Sequence, residues 1–216
     1  MRQKPSLKLS QWRKLNGVPT NKILRKKIIE YKNNKDWYKN THEAIKQLFP
    51  HPYDRNLLLK LIAVTSQRNS LTVNVEFALS AFYAIKKGND PLTLDYGLAS
   101  PSIRGNIKRV LNNDLPHGNK IKPFTLCLLG DEKQIVIDSW MTKLFINGKR
   151  KTPNKTDIKH MQTIINKFSD EMNLTPCQVQ ACLWCYVKTE MNDTNNKESY
   201  DYSHYISENA IKNRSV

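Results

Sequence analysis

The sequence predicts an all-α fold, and three observations carry that prediction. Only seven glycines occur among 216 residues, while Lys, Leu, Ile and Asn are abundant, a composition that suits helices better than a turn-rich β architecture. Apolar residues recur at the spacing that lines one face of a helix. The only stretch that reads as a strand, "QIVI" at 134–137, is too short to carry a sheet. The length fits one domain, or two small lobes sharing one chain, with enough residues to bury a core.

The elements follow in order. Residues 1–35 are strongly basic, with Lys4, Lys8, Arg13, Lys14, Lys22, Arg25, Lys26, Lys27, Lys32 and Lys35. From Asn21 to Phe49 the apolar positions Ile23, Leu24, Ile28, Ile29, Trp37, Ile45 and Leu48 predict two short helices with basic outer faces. Those faces are either merely solvated or an arm that contacts phosphates. "HPYDRN" (51–56) reads as a break. Leu57–Val64 is apolar on most sides and predicts a buried helix; Leu71, Val75, Ala78, Leu79, Phe82 and Ile85 form the stripe of the next. Gly88, after Lys86 and Lys87, is its stop signal. "TSQRNS" (65–70) is the polar elbow of this helical hairpin. One or two short helices with Arg104, Lys108 and Arg109 come next.

Beyond the central stretch, Ile158, Met161, Ile164, Ile165, Phe168 and Met172 mark an amphipathic helix. A last helix opens on Thr175 as N-cap with Pro176 in its first position, where a missing N–H is harmless. Residues 191–216 are polar and irregular and read as a mobile tail decorated by Tyr200, Tyr202 and Tyr205. There is no internal repeat. The organisation expected is a basic helical segment at 1–54, a core at 55–147, C-terminal helices at 148–190 and the tail at 191–216.

The net charge is +16, from 35 Lys and Arg against 19 Asp and Glu. Such a field attracts polyanions, nucleic acid first among them. No apolar run approaches a membrane span, and the basic N-terminus lacks the apolar region of a secretory signal. An intracellular protein with no membrane partner is expected. Cys127, Cys177, Cys182 and Cys185 do not form a disulfide framework in such a chain. Cys182 and Cys185 read as core residues beside Leu183 and Trp184, since small thiols fill core gaps.

Residues 115–145, "LPHGNKIKPFTLCLLGDEKQIVIDSWMTKLF", hold a Pro-His-Gly turn, Lys120 and, eighteen positions on, Asp138 before an amphipathic run. With "LIAVTSQRNSLTVNVEFALSAFY" (61–83), this stretch resembles the helix-hairpin-helix DNA glycosylases, the endonuclease III type in particular. In that family a buried helix ends in a polar elbow. A Leu-Pro-Gly-x-Gly hairpin is followed by a catalytic Lys, and a catalytic Asp lies as far beyond it as Asp138 lies from Lys120. Gly118-Asn119-Lys120 and Val136-Ile137-Asp138 match in order and spacing, and the likeness covers roughly residues 57–147. The hairpin is one residue short, His117 stands where Gly is usual, and Pro123 makes the following helix start nearby or bend. The "G-x-K…V-x-D-x-W" stretch and the late "T-P-x-Q-x-Q-A" helix are also similar to phage-encoded helical proteins, which points to a virus or mobile element.

The resemblance implies a two-lobed all-α fold, double-stranded DNA as partner, and removal of a flipped damaged or modified base. Cleaving a base from deoxyribose builds positive charge on the sugar, which the Asp138 carboxylate would stabilise or relieve by proton transfer. The Lys120 amine would attack C1′ and form a Schiff base, with Lys122 as its positive neighbour or as the nucleophile itself. The hairpin at His117, Gly118 and Asn119 would offer N–H groups to a DNA phosphate. Gln67, with Arg68 or Asn69, would fill the stack vacated by the flipped base. Trp140 would line the base pocket or serve as a core aromatic. Cluster-bearing members of the family place four Cys after the catalytic Asp; here Cys127 precedes it, so no cofactor and no metal are expected.

Each residue also has an ordinary reading. Asp138 alone is an N-cap, Lys120 a surface lysine, and Gln67, Arg68 and Asn69 a helix connector. Only the spaced combination points to chemistry. The competing functions are a glycosylase-type fold that grips DNA without catalysis, and an RNA-binding or structural virion protein that uses only its basic surface.

Overall fold

The computed structural model describes residues 7–147 and 152–191, together with Tyr202, Tyr205 and Ile206. Among these residues the fold is all-α and holds no β-strand. Ten helices follow in order: α1 (Leu9–Asn16), α2 (Asn21–Glu30), α3 (Trp37–Leu48), α4 (Pro52–Thr65), α5 (Leu71–Lys86), α6 (Ser100–Leu111), α7 (Ile121–Leu128), α8 (Ser139–Ile146), α9 (Lys155–Met172) and α10 (Pro176–Glu190). "QIVI" is irregular backbone with Ile135, Val136 and Ile137 buried.

The chain forms two compact units. The first comprises Met1–Asp36 and Ile135–Lys197, the second Trp37–Gln134 and Glu198–Val216. Residues 37–54 therefore group with the central segment, because α3 packs on α4 and α7. Helix α8 groups with the two ends of the chain, because it packs on α1 and α10.

In the first unit the expected stripe of α9 is inside: Met161, Ile164, Ile165 and Phe168 are buried with Leu24 and Ile28 of α2, Phe145 of α8 and Leu183 of α10. Helix α1 is short and basic, and it buries Trp12 and Asn16. Trp12 is 1 % exposed, and its indole N–H donates to Asp157 Oδ1 at 2.8 Å. Asp157 is held by reciprocal capping with Asn154, whose backbone N–H donates to Asp157 Oδ2 at 2.8 Å. One buried carboxylate thus starts α9 and ties α1 to it. Helix α10 opens as expected, with Thr175 accepting from the Gln178 N–H and Pro176 in the first turn. On the surface, Lys27 of α2 reaches Glu190 of α10 at 2.6 Å and Glu30 at 2.9 Å. The Glu190 hydrogen bond, then that of Glu30, holds the Lys27 ammonium above its ordinary range.

In the second unit α4 is the central helix, packed against α3, α5, α6 and α7. Its residues from Leu57 to Val64, Lys60 apart, are buried, as a helix surrounded by others requires. It begins at Pro52, inside the stretch expected to be a break, because proline supports a helix from its first position. Helix α5 is capped by Ser70 and stops just before Gly88, whose φ of +77° suits glycine. The tail reading changes at Tyr202. This residue is 2 % exposed, accepts a hydrogen bond from Asn74 Nδ2 and lies 5.3 Å from the Trp37 ring. It is a core residue of the second unit. Tyr205 is half-buried, and Tyr200 lies outside the described residues.

Candidate functional site

The second unit brings together the elbow, the start of α6 and the hairpin. The elbow is built on side-chain bonds to backbone. Ser66 Oγ donates to the Ala63 carbonyl at 2.8 Å, Gln67 Nε2 to Val64 at 3.1 Å and Asn69 Nδ2 to Thr65 at 2.7 Å. These side chains satisfy carbonyls that a helix end leaves open. Gln67 Oε1 in turn accepts from Ser102 Oγ of α6 at 2.8 Å. Arg68 is exposed and has φ +62°, a left-handed conformation uncommon for a long side chain. The remaining non-glycine residues with positive φ among those described are all Asn.

The hairpin joins α6 to α7 through residues 112–120. The His117 N–H donates to Asn106 Oδ1 at 2.6 Å, and Arg109 Nε donates to the Leu115 carbonyl at 3.0 Å, so α6 holds the turn from below. Gly118 has φ +131°, a conformation that glycine supplies. Pro123 sits in the first turn of α7, and Lys120 is the residue just outside the helix. The Lys120 ammonium donates to the Ser66 carbonyl at 2.8 Å and lies 5.8 Å from the centre of the Phe124 ring. Lys120 therefore reaches the elbow that holds Gln67, Arg68 and Asn69. His117, Asn119 and Lys122 are exposed around it.

Asp138 belongs to the first unit. It is the N-cap of α8: its Oδ1 accepts from the Trp140 and Met141 N–H groups, both at 3.0 Å. Its Oδ2 accepts the indole N–H of Trp184, on α10, at 2.8 Å. Half-buried Trp140 carries Lys143 Nζ 5.6 Å and Lys188 Nζ 5.8 Å from its ring centre, and Lys188 also lies 5.3 Å from Trp184. Lys143 donates to the Met191 carbonyl. The carboxylate held by these three N–H groups presents a fixed negative charge at the head of α8. Trp140 packs against the core of the unit, as its core-aromatic reading expects.

All four cysteines are buried, and none is in a disulfide among the described residues. Burial pushes the thiols of Cys182 and Cys185 up to about 12, so both stay protonated and inert near neutrality. Among the described residues no group of three or more His, Cys, Asp and Glu side chains is placed to hold a metal, and no helix is long and apolar enough to cross a membrane.

The sequence reading did not find Trp184 as a partner of Asp138, or Ser66 and Ser102 as partners of Lys120 and Gln67. The pairs are 46, 54 and 35 residues apart, and no local pattern joins them. No curated protein and no solved structure matches the chain. The α2-to-α10 span is where a likeness exists: residues 29–191 match the Family of unknown function (DUF7178), and the chain belongs to that family.

Proposed function

We propose that the chain is a DNA-binding protein of the helix-hairpin-helix glycosylase type, two-lobed and helical, that removes or processes a base turned out of the duplex. The observation that carries this reading is the placement of Lys120. It follows a glycine-bearing hairpin directly, precedes α7, and contacts the elbow between α4 and α5. Asp138, which heads α8, supports the reading as a carboxylate aimed by helix N–H groups.

In this mechanism the Lys120 ammonium leaves the Ser66 carbonyl and gives up a proton to solvent, and the free amine attacks C1′ of the deoxyribose. The bond to the base breaks, and its electron pair departs with the base, which takes up a proton. The Asp138 carboxylate stabilises the positive charge on the sugar as that bond opens. The secondary ammonium so formed loses a proton, its nitrogen lone pair expels O4′, which takes up a proton as the sugar ring opens, and a protonated Schiff base joins Lys120 to C1′. The net charge supplies affinity for the duplex, and exposed His117, Asn119 and Lys122 around the hairpin contact phosphates.

Borohydride reduction on a duplex with an abasic site tests the proposal, together with base release from a panel of lesions. A covalent adduct that Lys120→Ala abolishes is expected. Absence of both adduct and base release from the wild-type chain defeats the enzymatic reading.

A second reading is favoured by one observation: the Lys120 ammonium is already engaged by a backbone carbonyl. In that reading the same fold grips DNA without chemistry. It predicts tight, strongly salt-dependent duplex binding with no trapped product, and binding that prefers RNA at matched salt excludes both readings.

A further inference from the structure

We propose that Trp184 is a positioning residue for the reaction, acting through Asp138. The inference rests on the reading above, in which Asp138 is the carboxylate that faces the sugar. Capping alone fixes one carboxylate oxygen. Oδ1 accepts two backbone N–H groups of α8, but a cap of this kind leaves Oδ2 free to swing as the carboxylate turns about its Cβ–Cγ bond. The Trp184 indole N–H, 2.8 Å from Oδ2, removes that freedom. With donors on both oxygens the plane of the group is set.

The donor is itself held in place. Trp184 lies in α10 between Leu183 and Cys185, both fully buried, which fix the helix against its unit. Its ring packs at the edge of the core and faces Lys188 Nζ at 5.3 Å. Indole can only donate through this nitrogen, so the contact with a carboxylate cannot be inverted. Three of the roughly four acceptor directions of the carboxylate are thereby occupied. Such a group serves better as an aimed negative charge than as a proton acceptor. Trp184 touches no reacting atom; its effect is on where the charge of Asp138 stands.

The test uses the full chain and four forms: wild type, Trp184→Phe, Asp138→Asn and the double variant. The rate of adduct formation on an abasic-site duplex is measured under borohydride, or the rate of base release if that is the observable activity. Affinity is measured separately on a duplex carrying a tetrahydrofuran abasic analogue. Trp184→Phe is expected to slow the reaction roughly ten- to hundredfold, the scale of a misplaced catalytic group, with little change in affinity. The double variant should be no slower than Asp138→Asn, because Trp184 has nothing left to position.

The 1H–15N resonance of the Trp184 indole reads the hydrogen bond without any activity, and Asp138→Asn should move it upfield. Losses that add in the double variant, an unchanged rate in Trp184→Phe, or an indole resonance that does not respond to Asp138→Asn each overturn the proposal. A wild-type chain that is inert on every duplex fails one step earlier: it removes the glycosylase reading and, with it, the role assigned here. A resonance that does respond then leaves Trp184 as a structural partner of a helix cap.

Discussion

The Lys120 ammonium donates to a backbone carbonyl from a turn whose neighbours His117, Asn119 and Lys122 are exposed. The Asp138 carboxylate accepts three N–H groups at the head of a helix. The two supports differ in what they let the group do. A long side chain on a turn can swing away from the elbow and travel to a carbon atom. A short side chain clamped on both oxygens stays where it is. A nucleophile needs the first kind of support and an electrostatic partner the second, so the contrast fits a division of labour between the two side chains.

The largest expected effect separates the two groups by function. Lys120→Ala removes the trapped adduct entirely and moves the urea midpoint less than Asp138→Ala does. Asp138→Ala does what Lys120→Ala does not. It leaves two helix N–H groups and an indole N–H without their acceptor and lowers stability by about 1–2 kcal/mol. Equal midpoints for the two variants in urea would dissolve the contrast.

Alkali probes the clamp from behind, through the buried thiols of α10. Cys182 and Cys185 ionise near 9.0 in an unfolded chain and at about 12 in the folded one. Between those values the unfolded state has released protons that the folded state keeps, so stability falls as pH rises through this window and is untouched below it. Urea midpoints measured on either side of about pH 9 check the sign. A thiol reagent at about pH 8 should modify neither residue without denaturant.

The smallest effect sharpens the picture of the turn side. Arg68 sits at φ +62°, where Asn is tolerated better. Arg68→Asn should raise stability by a few tenths of a kcal/mol while weakening duplex binding. Reduced stability with unchanged binding would show that the residue serves the fold rather than the interface.

Much of this architecture was legible in local pattern. The helical class, the buried α4, the stripe of α5, the stop at Gly88 and the Thr175–Pro176 start of α10 follow from periodicity and capping, which are properties of neighbouring residues. Pro123 pointed to a helix that starts nearby or bends, and α7 starts two residues before it. Helix α1 was not legible, because its burial depends on Trp12 and on Asp157, 145 residues away. Tyr202 looked like tail decoration because its partner Asn74 lies 128 residues back. The candidate site shows the same split. Its members stand out by type and spacing, but Trp184, Ser66 and Ser102 enter only through folding at long range.

The buried link from Asn74 to Tyr202 also bears on when the elbow matures. Thr65 Oγ1 donates to Asn74 Oδ1 at 2.6 Å, and Asn74 donates onward to Tyr202, so the inner wall of the elbow is finished by a residue near the C-terminus. Synthesis runs from the N-terminus, so the other helices of the second unit leave the ribosome before Tyr202 does, and the elbow is completed only after them. A nascent chain carries Lys120 next to an unfinished wall, and nicked or prematurely terminated products that lack Tyr202 would keep the lysine without the mature surface around it.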